Sequence, residues 1–293
     1  MTTKPLMRYH GAKWRLAPWI ISHFPQHHCY VEPFGGSAAV LISKEPSTRE
    51  VYNDKNDEIV NLFNVIRCNN MRPELLRLLH MTPYSRTEFE FSKEPSDAHR
   101  DSRGNIIPGD SAVIEALKLL VRAQMSFGSA GATRGNTGFR LDTARSGTSL
   151  QALWSDLPAR VLEVTERLRQ VVIENTDAYN VIKQHDRSDT LFYLDPPYTL
   201  DTRTNTDSYG KFEMREFEHE RLLELTQKCA GMFVISGYDN ELYNDMLNGW
   251  TKSSRQTAIS SGGRNGSAKR TEVLWISPNC EQQQTDLFEE ISA

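Results

Sequence analysis

The chain has 293 residues, of which 38% are hydrophobic and 25% are charged, and its formal net charge is -4. This length suits one large domain or a core with a smaller inserted region, and the composition is that of an ordinary globular protein. No apolar run approaches the length of a membrane span, and the N-terminal stretch lacks the apolar centre of a signal peptide. Four scattered cysteines without a Cys-x-x-Cys spacing argue against a zinc site and a disulfide framework, so we expect a cytoplasmic protein that holds no metal.

Six short apolar runs, rich in Val, Ile, Tyr and Phe, indicate strands that helices cover on both faces. They lie at residues 29–33, 50–54, 171–175, 190–197, 231–238 and 272–277. Between them, apolar residues recur three and four positions apart, which predicts amphipathic helices. These helices span residues 16–24, 59–67, 157–168 and 217–229. The alternation of strands and helices predicts an open, mostly parallel α/β sheet.

The alternation stops between about residues 81 and 155. This stretch contains several prolines and glycines, one predicted helix over 111–125, and then a segment rich in Gly, Ser and Thr that carries arginines. Such a stretch is too long to be a simple connection inside a compact domain. We therefore predict a main domain of residues 1–80 and 156–293 and an inserted region of residues 81–155 that faces a binding partner. The alternative is a flexible surface loop, which has the same composition.

Two segments are basic although the chain as a whole is acidic. Residues 252–270 contain five basic residues and no acidic one, and residues 118–145 contain five basic residues against one acidic residue. Local basic patches of this kind suit an enzyme that visits a nucleic acid and leaves it again. The alternative is a pair of solvated loops.

The most informative motif is the tetrapeptide Asp195-Pro196-Pro197-Tyr198, which follows an apolar run and so lies at the carboxyl end of a predicted strand. Open α/β sheets bind ligands at that edge. A carboxylate and the fixed carbonyl groups of a Pro-Pro segment can accept both hydrogens of an exocyclic amino group, and the tyrosine offers a flat face for a base. The alternative is a plain turn that ends the strand.

Two further motifs follow predicted strands. Residues 33–38 form a Gly-rich turn, in which a ligand can approach the backbone, and a helix is expected to begin at Ser37. Asp54 follows the second strand, where an acidic residue binds ribose hydroxyls in α/β nucleotide sites. A second role for Asp54, which does not exclude the first, is to cap the helix that follows it.

Taken in order, these motifs resemble those of the Dam family of DNA adenine methyltransferases, the D12 class, and in particular its single-chain, often phage-encoded branch. The resemblance covers most of the chain. It includes an N-terminal box at 8–13, the Gly-rich turn, the acidic strand, the tetrapeptide and the late strands at 234–243 and 271–277. The N-terminal box makes the resemblance more specific than the tetrapeptide, which other amino-methyltransferases share.

The resemblance implies a Rossmann-like S-adenosylmethionine-dependent methyltransferase sheet with an inserted DNA-recognition region. It implies methylation of adenine N6 at specific sites of double-stranded DNA, in a bacterial host cell and in a phage or restriction-modification setting. The positions that match the family's cofactor contacts are Tyr9, Lys13, Phe34, Gly36, Asp54, Asp177 and Asp195. Those that match its catalytic motif are Asp195, Pro196, Pro197 and Tyr198. In this comparison Lys13 suits the cofactor carboxylate, while Tyr9 and Asp177 have alternative interpretations as a packed aromatic and a helix N-cap.

Two departures from the family pattern concern the cofactor turn and DNA contact. Ala38 stands where the family usually has a second glycine, and the stretch around Arg122 lacks the usual Asn-Arg and Asn-Gly pairs. The recognised DNA sequence is therefore not carried over. The candidates for DNA contact are Arg122, Arg134, Arg140, Arg255, Arg264, Lys269 and Arg270. We expect the last four to contact phosphates from loops at the same edge of the sheet as Asp195, and Arg134 or Arg140 to read bases.

Other functions remain open at this point. An N4-cytosine DNA methyltransferase uses the same chemistry on the same type of motif. An RNA or protein methyltransferase is less favoured, because protein-amide enzymes of this type tend to have Asn in place of Asp195. A DNA-binding regulator without activity is the alternative from another class, and the intact tetrapeptide argues against it.

Overall fold

The computed structural model of the chain describes residues 5–102, 104–128, 130–133, 137–141, 149–202, 209–258 and 269–281. Seven strands are present in these ranges. They are β1 (Cys29–Glu32), β2 (Arg49–Asn53), β3 (Val171–Glu174), β4 (Thr190–Leu194), β5 (Met232–Tyr238), β6 (Thr251–Ala258) and β7 (Lys269–Ile276). They form one sheet in the order β3-β2-β1-β4-β5-β7-β6, which confirms the predicted α/β class.

Strands β1 to β5 are parallel, whereas β7 runs antiparallel to β5 and pairs with β6 in a hairpin. The strand order reverses between β1 and β4, since the chain builds the sheet outward from β1 through β2 and β3 before it returns to form β4. In open α/β sheets a ligand crevice forms beyond the carboxyl ends of the strands at such a reversal. We call this side of the sheet the carboxyl edge.

The helices among the described residues are mostly short. They are α1 (Ala17–Ile21), α2 (Ala39–Ser43), α3 (Asp57–Arg67), α4 (Arg72–Met81), α5 (Arg86–Phe91), α6 (Asp110–Met125), α7 (Leu150–Ser155), α8 (Leu157–Leu168), α9 (Ala178–His185), α10 (Glu216–Lys228) and α11 (Glu241–Met246). Short 3-10 helices lie at Ala130–Ala132, Leu200–Thr202 and Gly210–Phe212. In the ranges searched, every helix is too short or too polar to cross a membrane.

Two hydrophobic clusters cover the two faces of the sheet. One contains Tyr30 and Tyr193 from the strands and packs against α1 to α4, α6 and α8, and the other contains Val31 and Phe192 and packs against α9 to α11. Neighbouring strand residues therefore enter opposite clusters, as the alternation of side chains along a strand requires. Both faces of the central strands are buried, which explains why these strands are continuous apolar runs in the sequence.

Helix α6 changes the interpretation of the predicted insert. Its residues Leu119 and Leu120 are fully buried in the first cluster, and the helix packs against α3 and α4. Residues 110–125 therefore belong to the main core. A separate partner-facing region remains a prediction for the Gly-, Ser- and Thr-rich segment that follows.

Two local predictions are wrong for identifiable reasons. Residues 252–258, part of the basic segment 252–270 that we expected on loops, belong to β6, an edge strand whose mostly polar residues give no apolar run. The helix expected at Ser37 begins at Ala39 as α2, after Ala38 takes a left-handed backbone with φ of 56°. The turn is closed by a bond from the Ala38 amide to the Gly35 carbonyl (2.8 Å), which leaves Ser37 in the turn rather than at the cap.

Candidate active site

A cleft lies at the carboxyl edge, between the loops that follow β1, β2, β3 and β4, and it encloses about 1160 Å³ including the space open to solvent. It is lined by all seven residues predicted to bind the cofactor, namely Tyr9, Lys13, Phe34, Gly36, Asp54, Asp177 and Asp195. Of the catalytic tetrapeptide, Asp195 and Pro197 line the cleft directly. Residues that are far apart in the sequence are thus brought to one concave surface.

The Gly-rich turn after β1 is built around two glycines that have no room for a side chain. A Cβ atom on Gly36 would lie 2.8 Å from the Tyr9 ring, and the residue has a positive φ of 48° that glycine adopts without strain. A Cβ on Gly35 would lie 2.1 Å from the Tyr52 ring, whose hydroxyl donates to the Gly36 carbonyl (2.7 Å). The turn is therefore pressed between two tyrosines and presents its backbone to the cleft.

Asp54 connects this turn to the loop after β2. Its Oδ2 accepts a hydrogen bond from the Gly36 amide and its Oδ1 accepts one from the Asn56 amide, both at 2.7 Å. The cap of α3 is Asn56, which accepts from the Glu58 amide, so the alternative role of Asp54 as the helix cap is not the one seen. Burial raises the pKa of Asp54 to about 6, and the two amide bonds oppose that shift.

Asn53, which the sequence analysis did not single out, ties three loops together. Its side-chain amide donates to the carbonyls of Pro33 (2.9 Å) and Thr176 (3.1 Å), and its Oδ1 accepts from the Thr176 amide (3.0 Å). The residue is fully buried, so these bonds are needed to satisfy its polar atoms. The one sequence feature that could have pointed to Asn53 is its position as a polar residue at the end of an apolar strand.

Phe34 and Asp177 extend the cleft along the loops after β1 and β3. Phe34 is half-buried and packs against the second hydrophobic cluster. Asp177 is the N-cap of α9, accepting from the Tyr179 amide at 3.0 Å, and its carboxylate lies 3.6 Å from the exposed Lys55 ammonium. The N-cap interpretation of Asp177 is therefore correct, and it leaves the carboxylate on the wall of the cleft.

Asp195 and Lys13 form the charged centre of the site. The Lys13 Nζ atom lies 2.8 Å from Asp195 Oδ2, donates to the Gly11 carbonyl (2.9 Å) and lies 3.5 Å from Glu272 Oε1. Burial alone would lower the pKa of Lys13, but Asp195 and Glu272 outweigh it and raise the pKa above its ordinary value. The ammonium is therefore directed at these carboxylates, and its expected contact with the cofactor carboxylate stays a prediction.

The second oxygen of Asp195 is different from the first. Within the described residues, Oδ1 is buried and has no hydrogen-bond partner. Burial raises the pKa of Asp195 to about 6 and the Glu272 carboxylate adds to this shift, whereas Lys13 and the nearby Tyr198 hydroxyl oppose it. The Tyr198 hydroxyl itself donates to Glu272, so it does not satisfy Oδ1. A buried acceptor without a donor costs free energy in the folded protein, so the atom is suited to a donor that arrives with a ligand.

Tyr198 is held at the side of this pair by a residue that the sequence analysis missed. Its hydroxyl donates a short hydrogen bond to the buried Glu272 carboxylate on β7, and its ring lies edge-to-face with Tyr238, with centroids 4.5 Å apart. The Lys13 ammonium lies 4.8 Å from the centre of the Tyr198 ring. Pro196, between the two functional side chains, is buried and stiffens the loop.

Two other cleft elements also escaped the sequence analysis. Glu32, at the end of β1, accepts from the Tyr30 hydroxyl and the Leu41 amide, both at 3.0 Å, and burial raises its pKa to about 8. The segment 209–214 lines the outer part of the cleft, and the ring of Tyr209 packs edge-to-face on His10 with centroids 5.4 Å apart. Glu32 opens the stretch EPFGGSAAV that resembles the family's cofactor loop, but the sequence analysis assigned it no role, and residues 209–214 lie in no recognised motif.

Of the DNA-contact candidates, Arg134 and Arg264 lie outside the described residues. Arg122 is buried, with Nη2 2.6 Å from the Glu58 carboxylate and Nη1 donating to the Ser92 carbonyl at 2.6 Å. It ties α6 to α3 and to the end of α5. The interpretation of Arg122 as a phosphate contact is therefore wrong, because both of its outer nitrogens are engaged inside the protein.

The remaining candidates lie on two surfaces. Arg255 is exposed on β6, and Lys269 and Arg270 begin β7, so this basic segment is partly a hairpin rather than loops. Arg140 is half-buried next to Phe139, where the chain pairs with Ser126. Because Glu272 pairs with Tyr238, the last residue of β5, the part of β7 before Glu272 extends beyond the carboxyl edge.

Comparison with known proteins agrees with this geometry. A family model described as D12 class N6 adenine-specific DNA methyltransferase matches residues 9–260. A DNA adenine methylase of Haemophilus influenzae is 22% identical over 262 residues, which cover 84% of this chain and 83% of that protein. The type II methyltransferase M1.LlaDCHI of Lactococcus lactis subsp. cremoris is 23% identical over 282 residues, which cover 92% and 94%.

A solved structure, the precorrin 8w decarboxylase of Methanobacterium thermoautotrophicum, matches 90% of this chain and 89% of its own, with 9% identity and a TM-score of 0.35. A TM-score this low does not establish a shared fold. Nothing in these comparisons supports a cytosine methyltransferase. The family match covers most of the chain and includes the Gly-rich turn, Asp54 and the tetrapeptide. The chain therefore belongs to the D12 class N6 adenine-specific DNA methyltransferases, enzymes that transfer a methyl group from S-adenosylmethionine to N6 of adenine in DNA.

Proposed function

We propose that Asp195 and the backbone of its tetrapeptide hold the N6 amino group of an adenine turned out of double-stranded DNA. The unpartnered Asp195 Oδ1 carries this assignment. One amino hydrogen would be donated to Oδ1 and the other to a carbonyl of the Pro-Pro segment, so that the nitrogen lone pair is directed into the cleft. Both acceptors keep electron density on the nitrogen while the new bond forms, and positioning supplies most of the catalysis.

The residues around the cleft fit S-adenosylmethionine. The glycine turn is packed between Tyr9 and Tyr52, where no Cβ would fit, and its backbone lines the cleft; Asp54 offers a carboxylate beside it for ribose hydroxyls. Phe34 and Asp177 provide an apolar surface and an acceptor farther along the wall. The cofactor supplies an electrophilic methyl group; this chain's residues bind it, exclude water and align the target nitrogen with it.

The charge of Asp195 sets the conditions for this role. Its pKa of about 6 means that the side chain is a carboxylate at neutral pH and can accept the amino hydrogen. Lys13 occupies Oδ2 at 2.8 Å, which leaves the buried Oδ1 as the oxygen that can accept a hydrogen bond from the substrate. No covalent enzyme intermediate is required, and the surplus proton leaves the nitrogen after transfer.

We further propose that DNA lies across the carboxyl edge, between the β6–β7 hairpin and the surface around Phe139. The hairpin carries Arg255, Lys269 and Arg270. On the other surface Arg86 lies 5.0 Å from the centre of the Phe139 ring, Arg140 follows Phe139 in the chain, and Arg8 donates to the carbonyl of Ser126, which pairs with Phe139. Burial lowers the pKa of Arg8, and the neighbouring Arg140 lowers it further, so the negative charge of bound DNA would relieve the repulsion between them. Arg134 and Arg264 stay predictions for the same role.

The DNA assignment can be tested by salt dependence. Replacing Arg255 with Gln should weaken binding to all sequences and reduce the slope of log K against log salt by about one. Arg140→Gln should instead relax the recognised sequence if the residue reads a base. Arg169→Gln is the control, because this exposed arginine lies near the start of β3, at the opposite edge of the sheet. Equal slopes in all three variants would place the DNA elsewhere.

The activity itself is tested by incubating the protein with DNA and S-adenosylmethionine that carries a labelled methyl group. Digestion of the product to nucleosides should place the label in N6-methyladenine, and sequencing that detects modified bases should give the recognised motif. Label in N4-methylcytosine would contradict the proposed base, and the absence of transfer would favour a DNA-binding protein without activity. We also propose a cytoplasmic location in a bacterial host, which DNA as the substrate supports.

A further inference from the structure

Glu272 reaches the active site from the last strand of the sheet. The residue is 4% exposed, and its Oε1 accepts the hydrogen bond of the Tyr198 hydroxyl and lies 3.5 Å from the Lys13 ammonium. It reaches this position because β7 runs antiparallel to its neighbour, which brings the early residues of β7 to the carboxyl edge. The side-chain contacts that the described residues show for Glu272 thus lead to the catalytic loop and to the lysine that holds Asp195.

The charges of this group do not balance. Two carboxylates, Asp195 and Glu272, share the single ammonium of Lys13, which lies nearer to Asp195 (2.8 Å) than to Glu272 (3.5 Å). A glutamine could accept the hydrogen bond of Tyr198 equally well without the cost of a second buried charge. The presence of a carboxylate therefore indicates that its charge has a use at this position.

We propose that Glu272 is a positioning residue for methyl transfer: it anchors the Tyr198 ring by its hydroxyl and draws the Lys13 ammonium toward itself, so that Lys13 binds Asp195 through Oδ2 only and Oδ1 stays available for the target amine. The proposal rests on the assignment of Asp195 as the acceptor of that amine. Without the pull of Glu272, the ammonium could move between the two Asp195 oxygens and compete with the substrate for Oδ1. Glu272 itself touches neither the base nor the methyl group.

The negative charge of Glu272 acts on the carboxyl group of Asp195. The groups that face Glu272 are Lys13 from the N-terminal loop, Asp195 and Tyr198 from the loop after β4, Tyr193 on β4, Tyr238 on β5 and Arg255, its partner across the β6–β7 pairing. Glu32 on β1 acts on Asp195 from the other side. The negative charge of Glu272 raises the pKa of Asp195, and the positive charge of Lys13 lowers it.

The test is Glu272→Gln, which keeps the shape and an acceptor for Tyr198 but removes the charge. We expect kcat to fall about 10- to 100-fold, because a small misplacement of a reacting group has effects of this size. The Kd of S-adenosylmethionine should change less than about twofold, since Glu272 is not among the residues that line the cleft. The acidic limb of the kcat against pH profile should move to lower pH, because the charge that raises the pKa of Asp195 is gone.

Two further variants keep the result decisive. Glu115→Gln is the control: Glu115 is equally buried and also pairs with a lysine, Lys118 at 3.3 Å, but it lies on α6 away from the cleft. Tyr198→Phe removes the hydrogen bond that Glu272→Gln keeps, while the charge of Glu272 stays, and it tests the anchoring of Tyr198 if Glu272→Gln fails to fold. In the double variant with Glu272→Gln, the two losses should combine to less than their product, as expected for groups that act through one contact.

A purely structural role for Glu272 predicts other results, and these would overturn the proposal. They are a lower Tm in Glu272→Gln with unchanged kcat and an unchanged acidic limb, or losses in the two variants that multiply independently. Asp195→Asn, measured in parallel, separates this proposal from the one on which it rests. If Asp195→Asn retains the wild-type rate, the amine assignment fails; if it is inactive while Glu272→Gln behaves as wild type, the role of Glu272 alone is refuted.

Discussion

Two buried clusters of charge lie at opposite ends of the sheet and differ in how fully their carboxylates are bonded. At the amino end, Glu50 binds Lys44 at 2.7 Å and Arg167 at 2.5 and 2.8 Å, and it also accepts the Ser47 amide at 3.1 Å. At the carboxyl edge, Asp195 has one oxygen on Lys13 and the other without a partner among the described residues.

The pKa shifts of the two acids follow from this difference. Burial raises the pKa of both carboxyls, but at Glu50 the hydrogen bonds from Arg167 and Lys44 outweigh burial and bring the pKa below its ordinary value. At Asp195 burial and Glu272 prevail over Lys13, and the pKa rises to about 6. A cluster in which every carboxylate oxygen is bonded stabilises the fold. A cluster with an unbonded oxygen makes the fold less stable, but it leaves an acceptor to which a ligand can bind.

The largest expected effect concerns the amino-end cluster around Glu50. Glu50→Ala should lower the free energy of unfolding by about 3–5 kcal/mol, because it leaves the buried Lys44 and the mostly buried Arg167 without their shared anion. Denaturant titration followed by circular dichroism measures this. The activity per folded molecule should stay unchanged.

The matched control is Glu74→Ala, which breaks an ion pair of 2.6 Å with Arg77 on the exposed face of α4. Solvent screens that pair, so stability should hardly change. If both variants lost the same small amount of stability, the amino-end cluster would not differ from a surface ion pair.

At the carboxyl edge the expected loss is catalytic. Asp195→Ala should lower kcat at least about a hundredfold, since it removes an acceptor that acts in the transition state. Its free energy of unfolding should fall far less than that of Glu50→Ala, because a buried oxygen without a partner is removed together with the bonded one. Label transfer and denaturant titration on the same preparation give both values; a large loss of stability here would remove the distinction between the clusters.

Asp54 is an intermediate case, with each oxygen bonded once and directed toward the cleft wall. Asp54→Asn should weaken S-adenosylmethionine binding about tenfold, the size expected for a hydrogen bond to a charged group, and leave DNA affinity nearly unchanged. Calorimetric titration with the cofactor, beside a DNA mobility shift, measures the two affinities. Unchanged cofactor affinity would remove Asp54 from the binding site.

The smallest effect is the response of the two clusters to acid. Activity should fall as the pH drops below about 6, because Asp195 then takes up a proton and ceases to accept the amine. Glu50 has a lowered pKa, so its stabilising contribution is present above the pKa of an ordinary glutamate and is lost only as the pH falls through the lower value. Activity should therefore disappear at a higher pH than folded structure, as pH-rate and pH-stability profiles can show.

Much of this architecture could be predicted because it depends on local patterns in the amino-acid sequence. The apolar runs identify six of the seven described strands, and the motifs after them identify the cleft residues, since parallel strands bring their carboxyl ends together. Strand β6 was missed because an exposed edge strand has no apolar run. Arg122 was misassigned because α6 is buried on nearly all sides. The nearly continuous apolar sequence of this helix indicates burial, and the arginine alone does not indicate DNA contact.

Glu272 could not be found in the same way. Its contacts with Lys13 and Tyr198 depend on the antiparallel return of β7, and no local pattern records the direction in which a strand enters a sheet. Asn53 was equally hidden, because its three bonds reach backbone atoms of distant loops rather than residues of a motif. The bonding state of each carboxylate, on which the comparison of the two clusters depends, appears only in three dimensions.

The contact between Lys13 and Glu272 joins two positions separated by almost the whole chain. Loop-closure cost rises only slowly with length, so this contact costs little more to close than the Lys13–Asp195 pair, which is itself of long range. What distinguishes it is the order of synthesis, since β7 is made after every other strand of the sheet. A chain that ends before β7 carries the residues of the glycine turn, Asp54 and the tetrapeptide but lacks the anchor of the Tyr198 hydroxyl.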